Sequence, residues 1–360
     1  MVQFGPLRPT LVVCLAAMKI KIVHKLTALV FLFTVVSSAR DWKQYPVVVE
    51  VDTTQDIYAV GDPHSDFSRL AGVLATAKII AGVPAVPDKP VWTAGKSVLV
   101  ITGDYIDKGP CALCVIRLVT ALQSAAVAQG GQVILTMGNH EAEFLADPTG
   151  DKTKEFQDEL IKAKIDPASV ARCQGDLGAF LCNLPIAARV NDWFFSHAGN
   201  TGGRSIAQLS AAIQAGVDKD GYRTEELVGD NSILEARLNK KGPGGLPWIY
   251  DGKKKTDPQK LLTKYADALG IHHILQGHQP GNVKFRDGQE RKQEDLFQRY
   301  DGLYFLNDGG MSTGIEGSTS IGGAMHITTG KVEAICAGGQ TKTLWDSTNN
   351  EAIAAIHCSQ

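Results

Sequence analysis

One pattern constrains this chain more than any other: a short β-branched or aromatic run ends, again and again, in a polar tip that carries glycine. Ile57–Val60 runs into Gly61-Asp62-Pro63-His64, Val98–Ile101 into Gly103-Asp104, and Val133–Met137 into Gly138-Asn139-His140-Glu141. Further on, Trp193-Phe194-Phe195 leads to Ser196-His197-Ala198-Gly199, Ile274-Leu275 to Gln276-Gly277-His278, and Tyr304-Phe305-Leu306 to Asn307-Asp308-Gly309-Gly310. Runs this short and this apolar favour buried strands over helices. Helix-like stretches separate them at Phe67–Ala81, Cys111–Gln129, Lys152–Lys164, Ala207–Ala215 and Pro258–Leu269. Alternating strands and helices give an α/β class, in which functional groups collect at the C-terminal ends of strands.

The N-terminus is a different kind of sequence. From Met18 it reads as a basic region (Lys19 to Lys25), an apolar run from Leu26 to Val36, and small residues at Ser37-Ser38-Ala39. These are the parts of a secretory signal peptide over residues 1–39, with cleavage after Ala39; a signal anchor and an organellar presequence are the other readings. The whole chain has a formal charge of −2, and with four basic and no acidic residues in the leader the rest carries 32 basic against 38 acidic groups. No global basic field exists, so nucleic acid is not expected as a partner. A membrane is a partner only if the leader stays uncleaved, and the expected location is the secretory pathway or outside the cell.

Residues 40–345 read as one domain, with a polar, helical insertion at about 150–190 over the tips and a C-terminal tail at 346–360. No break, including Gly242–Pro247, has the length of an interdomain linker, and Lys253-Lys254-Lys255 reads as a solvated loop. Past the leader, which holds Cys14, the cysteines are Cys111, Cys114, Cys173, Cys182, Cys336 and Cys358. An even number suits disulfides in an oxidising compartment, and Cys173 with Cys182 is the cheapest local pair. Cys111-Ala-Leu-Cys114 has redox spacing but no thioredoxin-like surroundings, which favours structural thiols or a local bridge.

The tips bring together Asp62, His64, Asp104, Asn139, His197 and His278. Carboxylate, imidazole and amide oxygen in one set suit Mn, Fe or Zn rather than a thiolate zinc structure. One carboxylate can bridge two ions about 3.5–4 Å apart, a clamp that activates water for attack on phosphorus. His140 adds a titratable group beside the set, and Asp107 is placed to orient its ring.

Each tip alone would be a turn. The ordered set Gly-Asp-x-His, Gly-Asp-x-x-Asp-x-Gly, Gly-Asn-His-Glu, Ser-His-Ala-Gly and Gly-His resembles the calcineurin-like metallophosphoesterases, and within them the phosphoprotein phosphatases, over residues 55 to 330. Asp66, the His-Ala-Gly tip and Asn307-Asp308-Gly309-Gly310-Met311-Ser312 are similar to the bacterial-like branch that contains the Shewanella-like phosphatases. The resemblance implies a central β-sandwich flanked by helices, the four-layer αββα arrangement, and two divalent metal ions. Asp62, His64 and Asp104 would hold the first ion, and Asp104, Asn139, His197 and His278 the second. His140 would be the general acid and Asp107 its orienting partner, with a metal-bridging hydroxide as nucleophile. Lys108 and Asn139 would bind the substrate phosphate. Lys108 stands where the family has an arginine, which keeps the charge but loses the bidentate fork. Ser65 stands where it has a glycine, and Tyr250 where this branch has a second phosphate-binding arginine; Arg237 and Arg204 are the candidate substitutes.

The expected function is hydrolysis of phosphate monoesters, with a phosphorylated protein or a small phosphate ester as partner. The alternatives are a phosphodiesterase or dinucleoside polyphosphate hydrolase of the same fold, and a non-catalytic metal-binding interaction protein. His272 and His273 read as core or edge residues, His326 and His357 have no partner pattern, and Glu141 reads as structural support. Gly95-Lys96-Ser97 fails as a phosphate-binding loop because Pro90 occupies the required upstream glycine position.

Overall fold

The computed structural model describes residues 40–239, 247–250, 255–349 and 353–359. The expected leader, Cys14, Lys253-Lys254 and most of the Gly242–Pro247 break lie outside the described residues. In chain order the strands are β1 (Val48–Val51), β2 (Ile57–Val60), β3 (Val98–Ile101), β4 (Gln132–Leu135), β5 (Ala187–Val190), β6 (Trp193–Ser196), β7 (His273–Gln276) and β8 (Val283–Lys284). They continue with β9 (Glu290–Arg291), β10 (Asp295–Arg299), β11 (Tyr304–Leu306), β12 (Gly323–Thr328), β13 (Lys331–Cys336), β14 (Thr341–Asp346) and β15 (Ala355–His357). The helices are α1 (Phe67–Thr76), α2 (Ala112–Val127), α3 (Asn139–Ala146), α4 (Lys154–Lys162), α5 (Pro167–Ala171), α6 (Gly175–Asn183), α7 (Ile206–Asp220), α8 (Glu225–Val228) and α9 (Pro258–Leu269).

Two mixed sheets stack, one ordered β1-β5-β6-β7-β11-β10-β15 and the other β14-β13-β12-β2-β3-β4. Side chains alternate between two cores, as the period of a strand requires. Ile57, Ala59, Val98, Val100 and Ile134 of one sheet meet Trp193, Phe195, Leu275 and Phe305 of the other inside the sandwich. Val60, Leu99, Ile101, Phe194 and Ile274 face outward and pack with helix residues such as Leu70, Leu74, Leu118 and Leu262. Burial on both faces is why the sequence shows continuous apolar runs instead of alternation. The result is the four-layer αββα arrangement.

Three parallel strands in each sheet aim their C-terminal ends at one mouth: β2, β3 and β4, and β6, β7 and β11. The tips of the opening pattern all lie there. The insertion of four helical segments occupies 151–183, and residues 187–190, expected within it, form β5 beside β1 instead. The residues expected as a tail are also part of the sandwich. Asp346 ends β14 against β13, β15 pairs with β10, and Cys358 is bonded to Cys336. A three-residue strand without a polar tip carries no sign of this in the sequence. Cys173 pairs with Cys182, and Cys111 with Cys114 as a local bridge.

Helix α1 stops at Thr76 rather than Ala81 because Lys78 turns left-handed (φ 58°) and Ile80 bridges to Trp92. Among the described residues, no helix is long and apolar enough to cross a membrane.

Candidate metal centre

Several tips leave their strands through backbone that few residues tolerate. His64, Ser65, Asp104, Asp107, Lys108 and His278 all have φ between 42° and 59°, a region costly for side-chain-bearing residues and typical of functional sites. Ser65, standing where a glycine was expected, takes the left-handed conformation regardless (φ 59°). Gly103 has no alternative: at φ 97° a Cβ would lie 2.5 Å from the Gly138 backbone, so two tips could not touch. Glu141 then fixes the crossing, its carboxylate accepting from the backbone N–H groups of Asp104, Tyr105, Ile106 and Gly138 at 2.7–3.2 Å. Glu141 is therefore structural support beside the centre.

The tips bring their ligands together in two buried clusters, His64 with Asp104 and His140, and Asp104 with His197 and His278. Asp104 belongs to both. Nδ1–H of His197 donates to the Thr102 carbonyl at 2.7 Å, which leaves Nε2 as a lone pair. That lone pair faces Asn139 Oδ1 at 3.0 Å and Asp104 Oδ1 at 3.4 Å. Three buried acceptors turned on one another, with no proton between them, are an arrangement that a cation stabilises. Asp62 stands at the edge of the clusters. Its Oδ2 accepts from His278 N at 2.9 Å, while its Oδ1 is buried without a partner. Burial first, then the Asp308 and Asp104 carboxylates, push the Asp62 carboxyl well above its usual range. A divalent ion is the group that would reverse this. The residues present therefore fit two divalent ions.

Burial lowers the pKa of His64, His197 and His278, keeping these imidazoles neutral. Burial opposes charge on Asp104 too, but His197, His140 and His64, cationic only when protonated in acid, together with Lys108 outweigh it and hold its carboxyl well below the ordinary value. Neutral imidazole and ionised carboxylate are the forms that bind metals.

His140, the third member of the first cluster, is held by a partner outside it. Its Nδ1 is 3.0 Å from Asp107 Oδ2, and the other Asp107 oxygen accepts from Phe156 N of α4 at 2.9 Å. The helical insertion thus holds the carboxylate that holds the imidazole. With Nδ1–H spent on Asp107, Nε2 is the ring atom left to exchange a proton.

The expected phosphate ligands fare unequally. Lys108 is close enough to lower the pKa of both His64 and Asp104. Asn139 keeps one of its two amide hydrogens, the other going to Glu235 Oε1 at 3.0 Å. Arg237 borders the centre: its Nη1 donates to the His278 carbonyl at 2.9 Å, and its Nε is buried without a partner. Tyr250 is a packing residue, its ring under the Arg286 guanidinium and its hydroxyl accepting from Arg286 N. Arg204 is paired with Glu226. Among the other histidines, His273 stacks on Trp193 at 4.1 Å in the core, His272 is exposed beside Asp192, and His326 and His357 pair with Asp56 and Asp295.

Two residues at the centre carried no assignment from sequence. Asp308, fully buried with Oδ2 unpartnered, closes on Asp62; it lay in a quoted tip, and a buried carboxylate after a strand was its signal. Glu235 comes from a loop that ends no strand, and nothing in the sequence pointed to it.

A sequence profile of calcineurin-like phosphoesterases matches residues 56–282. Shewanella-like protein phosphatase 1 of Plasmodium berghei is 29% identical over 245 residues, covering 63% of this chain and 63% of that protein. A symmetrical bis(5'-nucleosyl)-tetraphosphatase of Shigella dysenteriae is 32% identical over 103 residues, 29% of each. The chain therefore spans less than two thirds of these curated relatives. Among solved structures, a cold-active protein-tyrosine phosphatase of a psychrophilic Shewanella species superposes with a TM-score of 0.58 over 83% of both chains. At 18% identity that likeness is one of fold.

Proposed function

This chain belongs to the calcineurin-like metallophosphoesterases, and from that premise we propose that it is a phosphatase that hydrolyses phosphate monoesters, with phosphoprotein as substrate. The observation that carries the reading is the pair of buried clusters sharing Asp104, with the His140–Asp107 pair at their side. Asp62, His64 and Asp104 would hold one divalent ion, and Asp104, Asn139, His197 and His278 the other. Bound there, such ions activate water and offset charge on the phosphoryl oxygens. Lys108 and Arg237 supply the fixed positive charge that a phosphate dianion needs, and the remaining Asn139 amide hydrogen is a directional donor. His140 Nε2 hands a proton to the departing oxygen while Asp107 keeps the ring oriented.

The partial similarity to a tetraphosphatase supports a second reading, hydrolysis of dinucleoside polyphosphates. Manganese-loaded protein assayed on phosphopeptides, p-nitrophenyl phosphate, bis-p-nitrophenyl phosphate and diadenosine tetraphosphate separates the two. Turnover of both monoester classes above the diester and the dinucleotide is expected; preference for diadenosine tetraphosphate would favour the second reading. Absence of any chelator-sensitive hydrolysis would sink both and leave a metal-binding interaction protein. The three disulfides support a place in an oxidising, secretory compartment. A secreted protein whose N-terminus begins at Arg40 is the expected result of intact-mass analysis, and an N-terminus at Met1 or Met18 would contradict it.

A further inference from the structure

Asn139 is useful to a cation only in one of its two amide orientations. With Oδ1 toward His197 Nε2, two lone pairs face each other and await a positive charge. Turned by 180° about its terminal torsion, a soft rotation, Asn139 would instead donate N–H to that same nitrogen. The ring would then be satisfied, and a ligand lone pair would be lost to an internal hydrogen bond. Something must hold the amide in the unsatisfied orientation.

Glu235 does so. Its carboxylate only accepts hydrogen bonds, so the group it meets at 3.0 Å has to be Nδ2, and Oδ1 is turned into the cluster. Lys152 bridges Glu235 to Glu143, with Nζ 2.8 Å from Glu235 Oε1. The backbone of Glu235 is equally occupied: its carbonyl lies 3.2 Å from His278 Nε2 and so leaves Nδ1 as the free ring atom. The loop itself is braced internally and fastened to the tips after β6 and β7. Ser232 Oγ accepts from Leu234 N and Glu235 N, Ala198 N donates to the Ile233 carbonyl, and Leu238 N donates to Gln279 Oε1.

We propose that Glu235 is a positioning residue that locks the Asn139 amide with its oxygen toward the second cluster, so that the affinity of the second metal site depends on a carboxylate that touches neither metal nor substrate. The inference rests on the dinuclear reading above and deepens it.

The test is titration of the metal-free full chain with manganese, read as heat and as metal retained after gel filtration. The wild-type chain is expected to bind two ions. Glu235→Leu should keep one and bind the other about 10- to 100-fold more weakly, the usual cost of removing an outer partner of a ligand. Glu235→Gln keeps an acceptor oxygen and should restore most of that affinity. The metal-free melting temperatures of wild type and variant should agree, which a merely structural role would not allow; Glu235→Ala gives the same comparison if leucine is too large to fold. In an Asn139→Ala background, Glu235→Leu should cost nothing further, because the partner it acts through is gone. Wild-type affinity at both sites in Glu235→Leu, or the same loss with and without Asn139, would overturn the proposal. A wild-type chain that binds fewer than two ions would instead overturn the dinuclear reading, and this inference with it.

Discussion

The two metal clusters differ in how they are built. His64, Asp104 and His140 come from the ends of β2, β3 and β4, three adjacent parallel strands of one sheet, all within residues 57–140. Their frame is equally local: Glu141, one turn into α3, accepts the backbone amides on both sides of the crossing. The second cluster joins Asp104 of that sheet to His197 and His278 of the other, and is braced by a loop that belongs to neither. One half is a set of strand-turn-helix units; the other depends on the packing of the entire sandwich. Asp104 is the hinge of the comparison, since it serves both.

The largest effect should therefore follow loss of that shared carboxylate. Asp104→Ala is expected to empty both clusters and lower turnover on the order of 10⁴-fold or more, seen as metal content and rate falling together. His140→Ala separates chemistry from metal holding: both ions stay, and the rate on alkyl phosphates drops about 10²- to 10⁴-fold. The loss on p-nitrophenyl phosphate should be smaller, because that leaving group needs little protonation; equal losses on both substrates would remove the general-acid role.

Glu141→Gln attacks the frame of the first half alone. An amide turns N–H groups toward some of the four backbone donors that the carboxylate accepts, so about 2–3 kcal/mol of stability should be lost in chemical denaturation. Smallest is Lys108→Arg, which gives back a bidentate fork at the mouth and should lower KM roughly two- to fivefold with kcat little changed.

The same division explains how much could be read beforehand. The strand tips are legible because a doubly buried strand is a continuous apolar run and the tip that follows must be small, polar and strained, as Gly103-Asp104 is. Pro258–Leu269 is legible as a helix because Asp257 caps it, proline opens it and Gly270 closes it in the left-handed region. Glu235 and Arg237 follow no strand and obey no period; only the meeting of two sheets gives that loop its place. Strand β15 was hidden for a related reason, since three residues pinned by a disulfide and by β10 owe their conformation to partners distant in sequence.

The central claim is that Asp104 lies between two ions. Anomalous diffraction from manganese-soaked crystals tests it most directly. Two peaks about 3.5–4 Å apart, one on each side of the Asp104 carboxylate, are expected, with His64 at one and His197 and His278 at the other. A single peak, or two peaks that do not share Asp104, would contradict the account.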